Sequence, residues 1–284
     1  MSPILYGLVG MTGVGLLNVL ISLLNRKNEA FKVGFLIQIG NFLLTLTLFP
    51  ILFKQNPGIE IFFSLLIAGA SGALAFIFIN KAFSEGKASI NSPIISSWGM
   101  LTALLGFIVL GEDINYLKIL GMILIVLGIF LSSLDLKYLL KNRNIAIIPG
   151  VKWSLFAAIS LAVSFFTITY FTGSIHWYSV NLFTRFWTAS SYILMGLSTR
   201  KPLKSYFSKI PLLILIAILI DTSSMLTINL GYTTSEPGIV SVLTSASPIP
   251  TLILSFLVLK ESITKQQLLG ILVVIVGIIS LSLN

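Results

Sequence analysis

The second half of this sequence repeats the first half at a distance of 149 positions. Shifting the chain by that distance places Glu112 on Glu261 and Gly121 on Gly270 without a gap, and roughly a third of positions 79–134 become identical. Agreement of this kind is typical of a duplicated structural unit. Each half contains five apolar runs, so the duplicated unit has an odd number of segments.

The composition places these runs in a membrane. With 56% hydrophobic and 10% charged residues among 284, and a mean hydropathy of +1.02, the chain has more apolar surface than a soluble core can bury. Runs of about twenty residues can cross the hydrocarbon of a bilayer. The sequence therefore predicts an all-α membrane protein with ten transmembrane helices. The ten runs lie at 3–24, 33–53, 61–83, 88–110, 116–134, 151–172, 177–197, 210–232, 237–259 and 264–283.

The odd number of crossings in each repeat determines how the two halves are related. The second set of five helices must enter the membrane from the opposite side, which predicts two inverted five-helix repeats. These repeats are residues 1–134 and 151–284, joined by a basic connection at 135–150. Alternate connections carry about fifteen and about two basic residues, and the basic side is expected to face the cytoplasm. Both termini are then predicted to lie outside the cytoplasm.

The residue types that are scarce disfavour several function classes. The chain has no cysteine, one histidine and nine scattered acidic residues, which leaves no cluster for a metal ion and no thiol chemistry. It has no phosphate-binding loop for ATP hydrolysis. Most basic residues lie in short connections, where they orient helices and do not indicate nucleic-acid binding. We therefore expect no cofactor, no metal site and no nucleic-acid partner.

Small hydroxyl residues and prolines occur at mid-depth in the fourth and ninth runs. The fourth run carries Ser92 and Ser96, and the ninth carries Ser245 and Ser247 directly before Pro248. A proline inside a helix frees a backbone carbonyl, which hydrocarbon tolerates only where protein or water covers it. We interpret both runs as broken helices whose serines line one central substrate-binding cavity. The alternative is that the hydroxyls bond to their own helices and the prolines only kink them.

Asp221 lies near the centre of the eighth run, where an ionised carboxylate costs at least about 2.5 kcal/mol. Three roles are open: binding a cationic group of the substrate, carrying a coupling proton, or neutralising Arg185 of the seventh run. At 1.5 Å per residue, the two side chains lie at depths that differ by only about 4 Å. The ion pair and a free counter-charge for the substrate remain equally open, and both residues are predicted site residues.

Aromatic and amide residues complete the candidate site. Four aromatic residues on the helices that carry the polar groups are candidates for a wall that stacks on the substrate: Trp98, Trp187, Tyr170 and Tyr232. For aromatic residues of such a chain, a place in the core or in the lipid-facing belt is the simpler interpretation. Asn80 and Asn229 are repeat equivalents near helix ends, and we interpret them as gate groups or, more simply, as helix caps.

Two sequence signatures connect the chain with a known family. The ninth run ends in Leu-Val-Leu-Lys-Glu-Ser-Ile-Thr, followed by Gln-Gln-Leu-Leu-Gly-Ile-Leu-Val-Val-Ile-Val-Gly; the first half carries the weaker copy Leu-Gly-Glu-Asp-Ile-Asn-Tyr-Leu-Lys-Ile-Leu-Gly. Over nearly its whole length the chain resembles EamA-type members of the drug/metabolite transporter superfamily. Arg185 also falls where that family often carries an arginine. Glu112 and Glu261 belong to the signature and are interpreted as structural residues at helix starts.

The resemblance implies a ten-helix carrier of the cell membrane with a central cavity and alternating access. Together with the mid-membrane polar residues, it favours a secondary transporter for a small metabolite, such as an amino acid, an amine or a similar amphipathic solute. A proton or ion gradient is the expected coupling partner. We expect a monomer in the lipid bilayer, with a dimer as the alternative. The other hypotheses are a lipid-linked sugar flippase and an intramembrane enzyme using Asp221, which lacks a second positioned catalytic group.

Overall fold

The computed structural model of the protein describes residues 2–86, 88–110, 116–133, 149–198, 202–207, 210–259 and 265–282. Within these residues the chain consists of helices and short connections. The α-helices are α1 (Pro3–Asn25), α2 (Ala30–Thr47), α3 (Phe49–Leu52), α4 (Gly58–Glu85), α5 (Ala88–Ser96), α6 (Trp98–Leu105), α7 (Tyr116–Ser133), α8 (Val151–Thr172), α9 (Trp177–Ser198), α10 (Leu212–Gly231), α11 (Pro237–Ser245), α12 (Pro248–Leu259) and α13 (Lys265–Ser282). Glu112, Glu261 and nearly all of the basic connection predicted at 135–150 lie outside the described residues.

Six helical segments of the described residues are long and apolar enough to cross a membrane. They are Pro3–Asn25, Ala30–Thr47, Gly58–Glu85, Val151–Thr172, Leu212–Gly231 and Pro237–Leu254. The helix α9 has 22 residues, enough for a span, but it is less apolar because it carries Arg185 and a series of Ser, Thr and Asn side chains. The all-α class is confirmed for the described residues, whereas the count of ten spans remains a prediction.

Both helices that were predicted to be broken are broken. In the fourth run, α5 ends at Ser96 and α6 begins at Trp98; in the ninth run, α11 ends at Ser245 and α12 begins at Pro248. Pro248 has no N–H group to continue α11, and its fixed φ angle suits the first turn of a helix. The two breaks fall at equivalent positions of the repeat.

The second predicted run, 33–53, is interrupted near its end. The helix α2 ends at Thr47, and the chain turns at Leu48 before α3, which has Pro50 in its first turn. A proline starts a helix more easily than it continues one. The expectation of one continuous helix over this run is therefore wrong in its last turns.

The repeat-equivalent helices α7 and α13 pack against each other in antiparallel directions. Gln266 Nε2 donates to the Leu131 carbonyl at 3.1 Å, and Ser280 Oγ donates to the Leu117 carbonyl at 3.2 Å. The repeat relates these two hydrogen bonds, because Leu117 corresponds to Gln266 and Leu131 corresponds to Ser280. A two-fold axis between the helices produces such a pair of equivalent contacts. The packing of α7 on α13 is therefore the arrangement expected between inverted repeats.

Glycines of α1 allow this helix to lie close to α10, α11 and α12. A Cβ atom at Gly10 would meet Thr244 Oγ1, and one at Gly15 would meet Pro250. Small residues on a helix face allow such close packing between helices in lipid. As a consequence α11 is buried along its whole length, and α1 covers the break before α12.

Candidate functional site

Arg185 of α9 and Asp221 of α10 form an ion pair inside the helix bundle. Arg185 Nη2 lies 3.4 Å from Asp221 Oδ1, and the exposed fractions of the two residues are 8% and 0%. Of the alternatives that the sequence leaves open, the ion pair is the one that forms. Because removing two charges from water is costly, such a pair needs further hydrogen bonds to satisfy both groups.

The helix α2 supplies these hydrogen bonds. Arg185 Nη1 donates to Gln38 Oε1 at 2.9 Å, and Asn41 Nδ2 donates to Asp221 Oδ2. Thr222 Oγ1 donates to Asn41 Oδ1 at 3.1 Å, so both ends of the Asn41 amide are held. Neither amide was a predicted site residue. Their spacing of three positions, which places them on one face of α2 within an apolar run, is the signal that could have found them.

A small cavity borders the Arg185 end of this network, between α2, α4, α8, α9 and α10. It offers about 60 Å³ to a water-sized sphere, which is room for a few water molecules. Arg185 belongs to the wall of this cavity and Asp221 does not. The other polar side chains of the wall are Gln38, Ser164, Asn181, Thr184, Thr188 and Asn229. The apolar side chains are Phe76, Leu161, Phe165, Ile168 and Met225.

Several side chains of the cavity wall carry a polar atom that is buried and has no hydrogen-bond partner among the described residues. These atoms are Gln38 Nε2, Asn181 Oδ1, Thr184 Oγ1 and Asn229 Oδ1. The four residues are between 1% and 7% exposed. Because each buried unpaired donor or acceptor costs about 1–3 kcal/mol, packed cores contain few of them. Four of the twelve such atoms among the described residues line this one cavity, a grouping that fits a polar binding site.

Four predicted site residues lie in the broken helices and not at this cavity. They are Ser92, Ser96, Ser245 and Ser247, which are 1% to 4% exposed. Ser245 Oγ donates to the Val242 carbonyl of its own helix at 2.7 Å, which is the alternative that the sequence left open. None of the four belongs to the lining of this cavity, and α1 packs closely against the break beside Ser247. Their role as substrate-binding residues stays a prediction.

Trp98 and Tyr232 lie behind the cavity wall. The Trp98 ring stacks on Phe165 with ring centres 4.2 Å apart, and the Tyr232 ring meets Phe165 edge-on at 6.4 Å. Phe165 itself lines the cavity. These two predicted residues therefore support an aromatic wall without forming its surface.

Trp187 and Tyr170 do not belong to the lining of this cavity. Trp187 Nε1 donates to the Phe62 carbonyl at 2.7 Å and lies within a group of aromatic rings. Tyr170 is 47% exposed on α8. The structure fits the simpler interpretation of both residues. Trp187 packs between helices, and Tyr170 is exposed at the surface of the protein.

Asn80 and Asn229 lie inside their helices and do not cap them. Asn80 Nδ2 donates to the Phe76 carbonyl at 2.8 Å, and Asn229 Nδ2 donates to the Met225 carbonyl at 2.7 Å, each four residues back. The interpretation as helix caps is therefore wrong. Asn80 Oδ1 accepts a hydrogen bond from Asn25 Nδ2 at 3.0 Å, which joins α1 to α4. The equivalent oxygen of Asn229 is one of the unpaired atoms of the cavity wall.

Apolar helices around a buried ion pair and a small polar cavity define a multi-pass membrane protein with a polar site in its interior. The model of the EamA-like transporter family matches residues 1–134 and 148–283 of the chain. The chain therefore belongs to the EamA-like transporter family.

A solved structure titled "Crystal structure of protein" is similar to this chain in its fold. The TM-score is 0.71, and the alignment covers 98% of each chain at 15% sequence identity. At this identity the likeness shows a shared fold alone. No curated protein matches the sequence.

Proposed function

We propose that this protein is a secondary transporter of the cell membrane that carries a small metabolite through the cavity beside Arg185. The observation that carries the proposal is the group of buried, unpaired polar atoms around this cavity. Membership of a transporter family supports it. Both carboxylate oxygens of Asp221 already have partners, Arg185 and Asn41, which speaks against acid or base catalysis by this residue.

Transport requires the cavity to open to each side of the membrane in turn. The antiparallel packing of α7 on α13 supports a carrier built from two inverted repeats. The ion-pair network joins α2 of the first half to α9 and α10 of the second half. We infer that the two halves rock about this network and that the cavity widens when substrate enters. Uphill transport draws on a proton gradient, an ion gradient or exchange.

Single cysteines provide a test of the cavity, since the chain has no cysteine of its own. We expect Thr184→Cys and Ser164→Cys to react with a membrane-impermeant thiol reagent added from one side, because both residues line the cavity. A transported substrate should protect them. The control is Val274→Cys, which is fully buried between α7 and α13 and should stay unlabelled. Labelling of the control as strong as at the cavity, or none at either cavity position, would contradict the proposed pathway.

Both termini of this transporter are proposed to lie outside the cytoplasm. About fifteen basic residues on one set of connections, against about two on the other, support this orientation. We expect a C-terminal fusion to an enzyme that is active only outside the cytoplasm to be active. The matched fusion to a reporter that works only in the cytoplasm should be silent, and a signal from it would reverse the proposed orientation.

A further inference from the structure

The charge that borders the cavity is positive. Arg185 belongs to the cavity wall, whereas Asp221 is fully buried behind it, with Oδ1 at Arg185 and Oδ2 at Asn41. A solute that enters the cavity therefore meets the guanidinium group and not the carboxylate. This arrangement favours an anionic group on the solute and disfavours an organic cation.

The guanidinium group of Arg185 has more hydrogen-bond donors than it uses within the described residues. Of its five N–H groups, two have a partner in the part of the chain that the structure describes, namely Gln38 Oε1 and Asp221 Oδ1. Because Gln38 Oε1 accepts from Arg185, the free end of that amide is Nε2, a further buried donor. A planar guanidinium beside an amide donor is suited to the two oxygens of a carboxylate.

The rest of the wall offers acceptors and apolar surface. Asn229 Nδ2 is used within its own helix, so Asn229 Oδ1 is the free end of its amide. Asn181 Oδ1 is a second unpaired carbonyl oxygen, and both need an N–H or O–H group from the solute. Phe76 and Phe165 add rings that can cover a carbon skeleton, which favours an organic anion over an inorganic one.

We propose that the solute is a small organic carboxylate that also carries an N–H or O–H donor, as amino acids and hydroxy acids do. Its carboxylate binds Arg185 and Gln38 Nε2, and it also accepts a hydrogen bond from the Thr184 hydroxyl, which is unpaired in the described structure and belongs to the cavity wall. The donor group of the solute binds the carbonyl oxygens of Asn181 and Asn229. The proposal rests on the transport function proposed above and narrows its substrate class. Organic cations of the same size are rejected because the guanidinium repels them.

Matched pairs of small probes test this assignment on the full-length protein in lipid nanodiscs. The carboxylates are L-leucine and lactate; the probes without a carboxylate are leucinamide, lactamide and 3-methylbutylamine, and inorganic phosphate is the inorganic anion. We expect at least one of the two carboxylates to raise the thermal midpoint, because binding to the native state alone stabilises it, and the other probes to leave it unchanged. A shift with an amide, with the amine or with phosphate alone, or no shift with either carboxylate, overturns the proposal.

Uptake into proteoliposomes separates this proposal from the transport function. If 3-methylbutylamine is taken up in preference to L-leucine, the protein is a transporter but the proposed substrate class is wrong. A carboxylate that shifts the thermal midpoint but is not taken up would support the binding assignment and count against transport.

The substitution Thr184→Val tests the site without disturbing the ion pair. Thr184 Oγ1 is buried and unpaired in the described structure, so an apolar side chain of the same shape should raise the thermal midpoint of the protein without ligand. The same change should weaken binding of the carboxylate probe roughly three- to tenfold. The control is Thr172→Val on α8, whose hydroxyl donates to the Ile168 carbonyl at 2.7 Å and which lies outside the cavity wall; its affinity should not change. A lower midpoint for Thr184→Val with unchanged affinity would mean that the hydroxyl is structural, and the proposal fails.

Discussion

The substitution Arg185→Met is expected to destabilise the protein by about 3–5 kcal/mol, because it leaves a buried charge without its partner. Asp221 is fully buried, and Arg185 is the cation at its Oδ1 atom. After the substitution, the Asn41 amide is the one partner of the carboxylate that remains among the described residues. We expect a much lower thermal midpoint of the purified protein and a low yield of folded material, measured beside the wild-type protein in the same detergent.

The double substitution Arg185→Met with Asp221→Leu is the matched control, because it removes both charges together. Replacing a buried pair by apolar groups is often neutral, whereas removing one partner leaves the other uncompensated. The double variant should therefore regain most of the thermal midpoint but not the transport activity. Should the single variant melt at the wild-type temperature, the ion pair does not contribute to stability and the argument from burial fails.

The depth of the ion pair could be predicted from the sequence, but its surroundings could not. Helical rise places Arg185 and Asp221 at similar depth, and the two side chains meet. Their partners Gln38 and Asn41 are 147 and 180 positions away along the chain. A run of apolar residues fixes how deep a residue lies in the membrane, but not which neighbouring helix it faces. The contacts from α2 therefore became visible only in the packed bundle.

The helix breaks could also be predicted from the sequence only in part. The prolines identify where α11 ends and α12 begins. Whether protein or water covers the break between them depends on how another helix packs there. Gly10 and Gly15 of α1 leave room for Thr244 and Pro250, so protein covers the break and water does not need to. The cavity beside Arg185 lies between α2, α4, α8, α9 and α10.

The duplication preserves the helices but not the ion pair. The first half has Leu36 and Gly72 at the positions of Arg185 and Asp221. The second half thus supplies the ion pair, and α2 of the first half supplies the amides that hold it. Any movement of one half relative to the other acts on these hydrogen bonds, because they join the two halves at the cavity.

Because these hydrogen bonds join the two halves, a change at Asp221 should strongly reduce transport. We expect Asp221→Asn to reduce transport by roughly 10- to 150-fold, which corresponds to the loss of one charge-assisted hydrogen bond. Asparagine keeps the size of the side chain, but a neutral amide no longer holds the guanidinium of Arg185 in place between α9 and α10. The loss of stability should be smaller than for Arg185→Met, because Arg185 keeps Gln38 as a partner and borders the cavity, where water can solvate it. Initial uptake rates into proteoliposomes, measured beside the thermal midpoint, separate the two effects.

The substitution Glu60→Gln is the control for Asp221→Asn, since it makes the same chemical change at an exposed carboxylate in the first turn of α4. It should leave both uptake and the thermal midpoint unchanged. Uptake by both variants is best followed at acidic, neutral and mildly alkaline pH. If Asp221→Asn still transports but no longer responds to pH, Asp221 carries the coupling proton and its pairing with Arg185 changes during the cycle. If it transports at the wild-type rate at every pH, Asp221 neither carries a proton nor holds Arg185 for substrate binding, and the role assigned to the ion pair has to be abandoned.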